Sequence, residues 1–395
     1  MHDIDGGEAG RGLLAPVTVS LDVGVDDLDP RRDELRRWLA EHPDPSGREL
    51  ADAGLVAPSW PEPWGRNASV EYQLLIDEEL RRAHVDRPIN PIGIGWAGPT
   101  IVMAGTLSQQ SRWLPKLLSG EEFWCQLFSE PGAGSDLAAL STVARRDGDE
   151  WVVTGQKVWT SYAHLATWGI LLARTSNEGA PQRGISYFIC PMDAAGVTVR
   201  PLLDMTGDHA FNEVFLDEVR LPGDHLLGDV NDGWRLAKVT LGNERISLSG
   251  EGVLWGRGPT ADDLVTLVRR QQLVTTRLLR DDLVRCWSHG EILRFLRMRL
   301  TENAIAGRAT GSDASLRKAL ADDHGQEVMA LAQRLAGAAG MLEGRGPGGV
   351  DGEEGRSWWW GFLYAQALTI GGGTSAVQRN IIAERVLGLP KDPGA

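Results

Sequence analysis

Cysteine is scarce in this chain. The 395 residues hold three, Cys125, Cys190 and Cys286. They are too few and too far apart for a disulfide framework and show no metal-ligand spacing, so buried thiols in a reducing compartment and no metal are expected. Long apolar runs are also missing. No stretch approaches the roughly 18 to 20 residues that a membrane span needs. The N-terminus has no basic segment followed by an apolar one, so neither a span nor a signal peptide is expected and the expected location is cytoplasmic. Positive charge is in deficit: 40 Lys and Arg against 54 Asp and Glu leave a net charge of −14. That excludes nucleic acid as a partner, because phosphate backbones need concentrated cations. A basic pocket for one phosphorylated ligand stays open. No internal repeat is present. What remains is an ordinary globular composition, 42% hydrophobic and 24% charged, long enough for two or three domains.

The hydrophobic period changes twice along the chain. "RDELRRWLAEH", "EYQLLIDEELRRAHV" and "SQQSRWLPKLLSG" carry apolar residues three and four apart and predict helices. In "TVARRDGDEWVVTGQKVWTS" the Asp147-Gly148 turn between β-prone runs predicts a hairpin, and "GISYFICPM", "GVTVRPLL" and "FNEVFLDEVRLP" continue as strands to Pro222. After "GDVNDGW" the helical period returns in long pieces separated by Gly and Pro, as in a bundle. The reading is α+β: a loose arm over 1–27, a helical domain over 28–122, a β domain over 123–226 and a helical bundle over 227–395. The segment 344–355 reads as a Gly- and Glu-rich loop.

Two stretches carry chemistry. "WCQLFSEPGAGSDLAAL", from Trp124 to Leu140, opens the β domain. Gly132, Gly134 and Ser135 form a tight, amide-rich turn that a planar or anionic ligand can approach closely, with Glu130-Pro131 setting the chain direction. Near the C-terminus, "LTIGGGTSAVQRNIIAERVLGLP" places Gly371, Gly372 and Gly373 before a helix, which reads as a Gly-rich turn with Ser375 as N-cap and Gln378 completing a capping box.

The first stretch resembles the flavin-contacting signature of the acyl-CoA dehydrogenase family, and "TGQKVWTSYA" resembles its second flavin stretch. The likeness extends over nearly the whole chain, through "NEVFLDEVRLPGDHLLGDVNDGW" to the closing glycines. It implies the acyl-CoA dehydrogenase fold, with an N-terminal helical domain, a central β domain and a C-terminal four-helix bundle. FAD would lie between β domain, bundle and a neighbouring subunit. It also implies oxidation of an acyl-CoA to the trans-2-enoyl thioester, a base removing the α-proton while the β-hydrogen leaves as hydride to flavin N5. Carried over by position, Gln126, Phe128 and Ser129 line the flavin, mostly through backbone groups. Ser135 sits on the phosphate side, near flavin or CoA. Trp159 and Ser161 cover the ring, and Thr374 lies close to the cofactor.

One expected residue is absent. Many members have Tyr-Glu-Gly-Thr where this chain has Gly371-Gly372-Gly373-Thr374, and that Glu is their base; its position here is Gly372. The resemblance to the isovaleryl and long-chain types puts the base instead at Glu244 in "TLGNERISLSG". The ordinary alternative for Glu244 is a solvated helix-surface carboxylate. Arg245 either contacts CoA or pairs with a bundle carboxylate. Gly372 keeps a backbone N–H, which in the family stabilises the enolate-like charge on the thioester carbonyl. Loss of the Tyr and Glu side chains opens the acyl pocket, so Gly371 and Gly372 fit a bulky or α-branched acyl group.

The family's Arg-x-x-Phe-Gly segment, which reaches a neighbour's FAD, is replaced by "LWGRGPTADDLVTLVRRQQ", with Gly256, Gly258 and Pro259. The chain therefore resembles actinobacterial members that act as α2β2 heterotetramers on CoA thioesters of steroid side chains, with a second dehydrogenase-like chain as partner and electron-transferring flavoprotein as acceptor. The alternatives are a branched short-chain acyl-CoA dehydrogenase, a non-catalytic subunit of such a complex and a flavin monooxygenase on the same fold. Trp358, Trp359 and Trp360 read as packing. If the glycines open the pocket, Gly372→Leu lowers kcat/KM for large acyl-CoAs more than for small ones across a size series. Equal losses along the series would show that the glycines do not set pocket size.

Overall fold

The computed structural model describes residues 29–248, 254, 258–273, 276–308, 312–338 and 358–391. The arm over 1–27, the loop over 344–355 and Gly256 lie outside the described residues. The described residues fall into two compact units, one ending at Glu244 and one beginning at Arg245.

The first unit opens with helices α1 (Pro30–Glu41), α2 (Gly47–Asp52), α3 (Val70–Arg82), α4 (Gly98–Ala104) and α5 (Leu107–Ser119). Local chemistry sets their ends. Ser46 with Glu49, and Thr106 with Gln109, form reciprocal capping boxes, and Gly120 closes α5 at φ 78°. Buried Arg32 on α1 pairs with Glu78 and Glu79 on α3, so the two helices are joined by charge as well as by Leu35, Leu75 and Ile76. The short helices α2 and α4 escape the periodicity reading. They are too brief to show a 3.6 repeat, and α4 follows a π-turn over Gly93–Ala97.

The sheet holds β1 (Trp124–Leu127), β2 (Val143–Asp147), β3 (Glu150–Ser161), β4 (Trp168–Arg174), β5 (Ile185–Pro191), β6 (Val197–Leu202), β7 (Phe211–Pro222) and β8 (Leu226–Leu227). Its order is β6-β7-β3-β2-β4-β5-β8, with β1 parallel to β4. The Asp147-Gly148 hairpin is present: Asp147 pairs with Glu150, and Gly148 turns at φ 59°. The predicted strands through Pro222 form β5 to β7. One core runs from the helices into the sheet, with Trp113 of α5 edge-on to Trp168 of β4 at 6.0 Å and Trp124 stacked on Trp168 at 6.1 Å. Two bulges interrupt the pairing of β3 with β7, between Val153 and Gly155 and between Lys157 and Thr160. Helix α6 (Gly233–Leu248) begins in this unit, and the division falls between its residues Glu244 and Arg245.

The second unit continues with α7 (Ala261–Gln271), α8 (Arg277–Ile305), α9 (Asp313–Ala336), α10 (Trp358–Tyr364) and α11 (Ser375–Ile381). The long pieces are not all divided at glycine. Gly290 does not separate helices but lies inside α8, where a Cβ would stand 3.3 Å from Ala261 Cβ and from His324 Nε2. It lets α7 and α9 approach α8. The break falls instead at Gln272, a non-glycine residue at φ 53° ending α7. Helices α8 and α9 run antiparallel, joined by Arg334 to Asp282 at 2.7 Å and His289 to Glu327 at 2.7 Å. Trp358 and Trp360 are buried in this unit's core, as their packing role requires.

The closing helix differs from its expected form. Thr374, not Ser375, is the N-cap, its side chain accepting from Val377 N. Gln378 does not return to the cap, because it lies four residues beyond it. Its amide Nε2 instead donates to the carbonyls of Gly372 at 3.0 Å and Gly373 at 3.1 Å. Past Ile381 the chain winds as a π-turn over Ile382–Val386 before Gly388 ends it at φ 69°.

Candidate active site

The segment after β1 is held by one buried ion pair. Glu130 and Lys157 are both buried, with Lys157 Nζ donating to Glu130 Oε1 at 2.8 Å and to the Phe128 carbonyl at 3.1 Å. Glu130 also accepts from Ser141 N at 2.6 Å, Ser141 Oγ at 2.7 Å and Thr142 N at 2.9 Å. Burial alone would raise the Glu130 carboxyl, but Lys157, Thr142 and Ser141 outweigh it and hold it at about 2, below its ordinary 4.5. Burial pushes Lys157 down from 10.5 to about 8 against the pull of Glu130. The turn between these anchors closes on itself, Glu130 and Ala133 exchanging two backbone bonds of 3.0 Å. Gly132, Gly134 and Ser135 are left facing outward, and a Cβ on either glycine would meet no atom within 4 Å.

The second bulge of β3 re-aims Trp159. It sits at φ 60°, is 61% exposed and meets Phe211 edge-on at 5.9 Å. A tryptophan with positive φ is strained, and a bulge is where a sheet can hold such strain to turn a side chain outward. Lys157 lies at the same bulge, so the ion pair and the exposed ring are two results of one irregularity. Val158 N bonds the Ser129 carbonyl at 2.9 Å, tying the bulge to the first stretch. Ser161 is half-buried. Phe128 differs in kind from its neighbours: its side chain lies in the core against Tyr187 at 5.9 Å, leaving only backbone for a ligand.

Glu244 is 6% exposed and accepts from Gln126 Nε2 at 3.2 Å. The solvated-surface alternative is thereby overturned: the helix turns this carboxylate inward. Its position is fixed one turn earlier. Buried Thr240 lies 2.8 Å from Thr100 of α4 and 3.0 Å from the Tyr187 hydroxyl of β5, so three hydroxyls lock α6 to helix and sheet. Burial pushes the Tyr187 phenol up, keeping it a neutral partner. Gln126 Oε1 and Thr160 Oγ1 are buried with no hydrogen-bond partner among the described residues. Arg245 follows, half-buried, in the other unit.

In the second unit Gly372 and Gly373 take φ 66° and 91°, conformations that a side chain would strain. Gly371 N bonds the Ala367 carbonyl at 2.9 Å, whereas no hydrogen bond from Gly372 N is found among the described residues. Helix α9 supports the segment before them. Buried Lys318 pairs with Asp322 and donates to the Leu368 carbonyl at 3.1 Å, and Gln326 Nε2 donates to the Ala365 carbonyl at 3.1 Å and Thr369 Oγ1 at 3.2 Å. Thus the structure brings Gln126 and Glu244 together in one unit and sets Gly371, Gly372 and Thr374 on one turn in the other. The sequence reading did not find the roles of Lys157, Thr240, Tyr187, Lys318 or Gln378. Lys157 lies inside "TGQKVWTSYA", but its partner Glu130 is 27 residues away.

Three family models match in succession along most of the chain: the acyl-CoA dehydrogenase N-terminal domain over residues 23–121, the middle domain over 125–219 and the C-terminal domain over 231–387. Acyl-CoA dehydrogenase IpdE1 of Mycobacterium tuberculosis is 40% identical over 91% of this chain and 89% of its own length. The chain belongs to the acyl-CoA dehydrogenase family. Acyl-CoA dehydrogenase FadE34 of the same organism is 43% identical over 87% of this chain, which spans about half, 46%, of that relative's length. Among solved structures, the Tcur3481-Tcur3483 steroid ACAD is 30% identical with a TM-score of 0.74, covering 92% of this chain and 97% of the matched one. The ChsE4-ChsE5 complex of M. tuberculosis is 29% identical with a TM-score of 0.72, covering 94% and 100%.

Members of this family are oxidoreductases and flavoproteins, FAD being the usual cofactor. The residues present fit such a group. A flat ring with polar edges suits the exposed Trp159 face, the unpartnered Gln126 Oε1 and Thr160 Oγ1, and the open glycine turn. Among the described residues no helix is long and apolar enough to cross a membrane.

The Glu130 charge should be visible in pH dependence. Its folded pKa lies below the ordinary value, so it contributes stability above 4.5 that is lost as pH falls towards about 2. Glu130→Gln removes one partner of a buried pair and is expected to cost about 3 to 5 kcal/mol at neutral pH. In urea unfolding the gap between wild type and variant should narrow below pH 4.5. A gap independent of pH would mean that shape, not charge, holds this turn.

Proposed function

We propose that the chain is an FAD-dependent acyl-CoA dehydrogenase that introduces the α,β double bond into a bulky acyl-CoA, with Glu244 as base. The observation that carries this reading is the burial of Glu244 against Gln126 in a chain whose final loop has glycine where many relatives have their catalytic Glu. A buried carboxylate held by an oriented amide donor suits proton transfer rather than solubility. Bound FAD supplies the acceptor for the β-hydrogen as hydride. Glu244 takes the α-proton from the substrate carbon, and Gln126 Nε2 keeps the carboxylate from rotating away.

Gly372 N–H is the donor assigned to the thioester carbonyl as charge develops there, a reading supported by the absence of a backbone partner for that amide among the described residues. Gln126, Ser129, Ser135, Trp159, Ser161 and Thr374, with the backbone of Phe128, are the groups assigned to the cofactor. Ser135, Arg245 and Gly371 are assigned to the substrate. A steroid side-chain thioester as substrate, and an α2β2 assembly with a second chain of this family, are supported by likeness to the steroid ACAD and to the two-protein ChsE4-ChsE5 complex. They are also supported by the absence of the Arg-x-x-Phe-Gly segment. Electron-transferring flavoprotein is the proposed acceptor and the cytoplasm the proposed location. The flavin-bearing role is preferred to a non-catalytic one because the turn geometry and the buried carboxylate are both intact.

Glu244→Gln should keep flavin but slow anaerobic flavin bleaching by a bulky acyl-CoA by about 10² to 10⁴-fold. Unchanged bleaching would remove Glu244 as the base. The assembly is tested by flavin content. The chain expressed alone should carry little flavin, and the chain co-expressed with its partner should carry about one flavin per pair of unlike subunits. Full flavin in the chain alone would leave a homo-oligomer.

A further inference from the structure

Two residues of α8 and two of α9 bring metal-binding atoms to one place in the second unit. Cys286, His324 and Glu327 each offer a ligand atom, and these atoms lie within 4.8 Å of one another. A fourth joins them: His289 Nδ1 stands 2.7 Å from Glu327 Oε2. On each helix the pair is spaced i, i+3, Cys286 with His289 and His324 with Glu327, so both members of a pair fall on one face. The expectation of no metal weighed the separation of the cysteines and did not weigh pairs contributed by two different helices.

His324 makes this more than a chance grouping. It is only 7% exposed, and its Nδ1 is buried with no hydrogen-bond partner, 3.8 Å from Glu327 Oε2. A buried, unsatisfied imidazole nitrogen is costly and calls for a partner. Its other nitrogen faces Gly290, where no side chain intervenes. Cys286 is fully buried below, and half-exposed His289 forms the mouth through which an ion can enter.

We propose that Cys286, His289, His324 and Glu327 form a structural zinc site that clips α8 to α9. Thiolate and imidazole donors select a thiophilic transition metal over Ca²⁺ or Mg²⁺. Zn²⁺ bonds of about 2.0 to 2.3 Å place tetrahedral donors about 3.3 to 3.8 Å apart. Cys286, His324 and Glu327 offer donors within 4.8 Å of one another, and His289 is tied to the group through Glu327 at 2.7 Å, so binding asks side-chain rotations to draw the three into that range and to bring His289 to the ion. On binding, the Cys286 thiol gives its proton to solvent and the sulfur bonds the metal. With the Glu327 carboxylate, two negative charges then balance the ion, leaving no net charge in the half-buried site. Four protein ligands leave no open position, so the site holds structure and does not activate water.

The test uses the full-length protein stripped with a chelator and titrated with Zn²⁺ and, separately, with Co²⁺. One equivalent of Zn²⁺ should bind and raise the melting temperature, and Co²⁺ should show a sulfur-to-cobalt charge-transfer band that Cys286→Ser abolishes. Because Cys286 lies in the core and its variant can fail to fold, His289→Ala at the exposed mouth is the second probe. It loses one largely exposed contact to Glu327, so its metal-free melting temperature should fall only slightly, while its Zn²⁺ binding should weaken by about tenfold or more. No stoichiometric binding, a Co²⁺ spectrum without the sulfur band, or equal Zn²⁺ affinity in wild type and His289→Ala would each overturn the proposal.

Discussion

A lysine and a glutamate, both withdrawn from water, determine the shape of the first unit's ligand-facing surface. Neither charge is tolerable alone in that environment, and each is satisfied only when three separate chain segments are in register: the stretch after β1, the residues just before β2 and the bulge of β3. The Lys157 amine reaches both Glu130 and the Phe128 carbonyl, so the strand end and the turn behind it are set by a single cation. A buried pair of this kind adds little net stability relative to a well-packed apolar substitute, but an arrangement with one partner missing is strongly disfavoured. Its value is in specifying one conformation for the turn that carries Gly132, Gly134 and Ser135.

The two units solve the same physical problem by different means. In the first, α6 is positioned by hydroxyl groups: Thr100, Thr240 and Tyr187 form a chain in which each can donate or accept, so no formal charge is introduced one turn from Glu244. In the second, residues 318, 322 and 326 recur every four positions along α9 and so share one face, from which Lys318 and Gln326 reach the carbonyls ahead of the three glycines. Backbone that has no side chains to pack is thus held through its oxygens.

The helix, sheet, helix order was legible because long amphipathic helices and alternating strands broadcast their period, and the Asp147-Gly148 hairpin followed from turn chemistry alone. The α8 to α9 bundle was legible except at its joints. Gly290 reads as a breaker in sequence, yet in the helix it is a clearance for Ala261 and His324, a demand made by neighbours that no local window contains. Gln272 has the opposite property, looking helical while adopting a left-handed conformation. The inward turn of Glu244 was expected only from the family resemblance, not from the local pattern. A carboxylate on a helix defaults to solvent, and only the α4 and β5 hydroxyls that rotate α6 make it otherwise. The cap was misplaced by one residue because Ser375 and Thr374 are chemically interchangeable there, and the backbone path through the glycines decides between them.

Gln378 has one further consequence. Its amide grips two successive carbonyls of the triple-glycine turn from within the helix that follows, so the turn and the helix are one mechanical part rather than a flexible loop and its anchor. Three glycines transplanted alone into a related chain would collapse into whatever shape that chain's own neighbours dictate. The unit that can be exchanged between relatives with its shape preserved is the whole cassette from Gly371 through Gln378, and recombination that cuts inside it would inherit the glycines without the geometry.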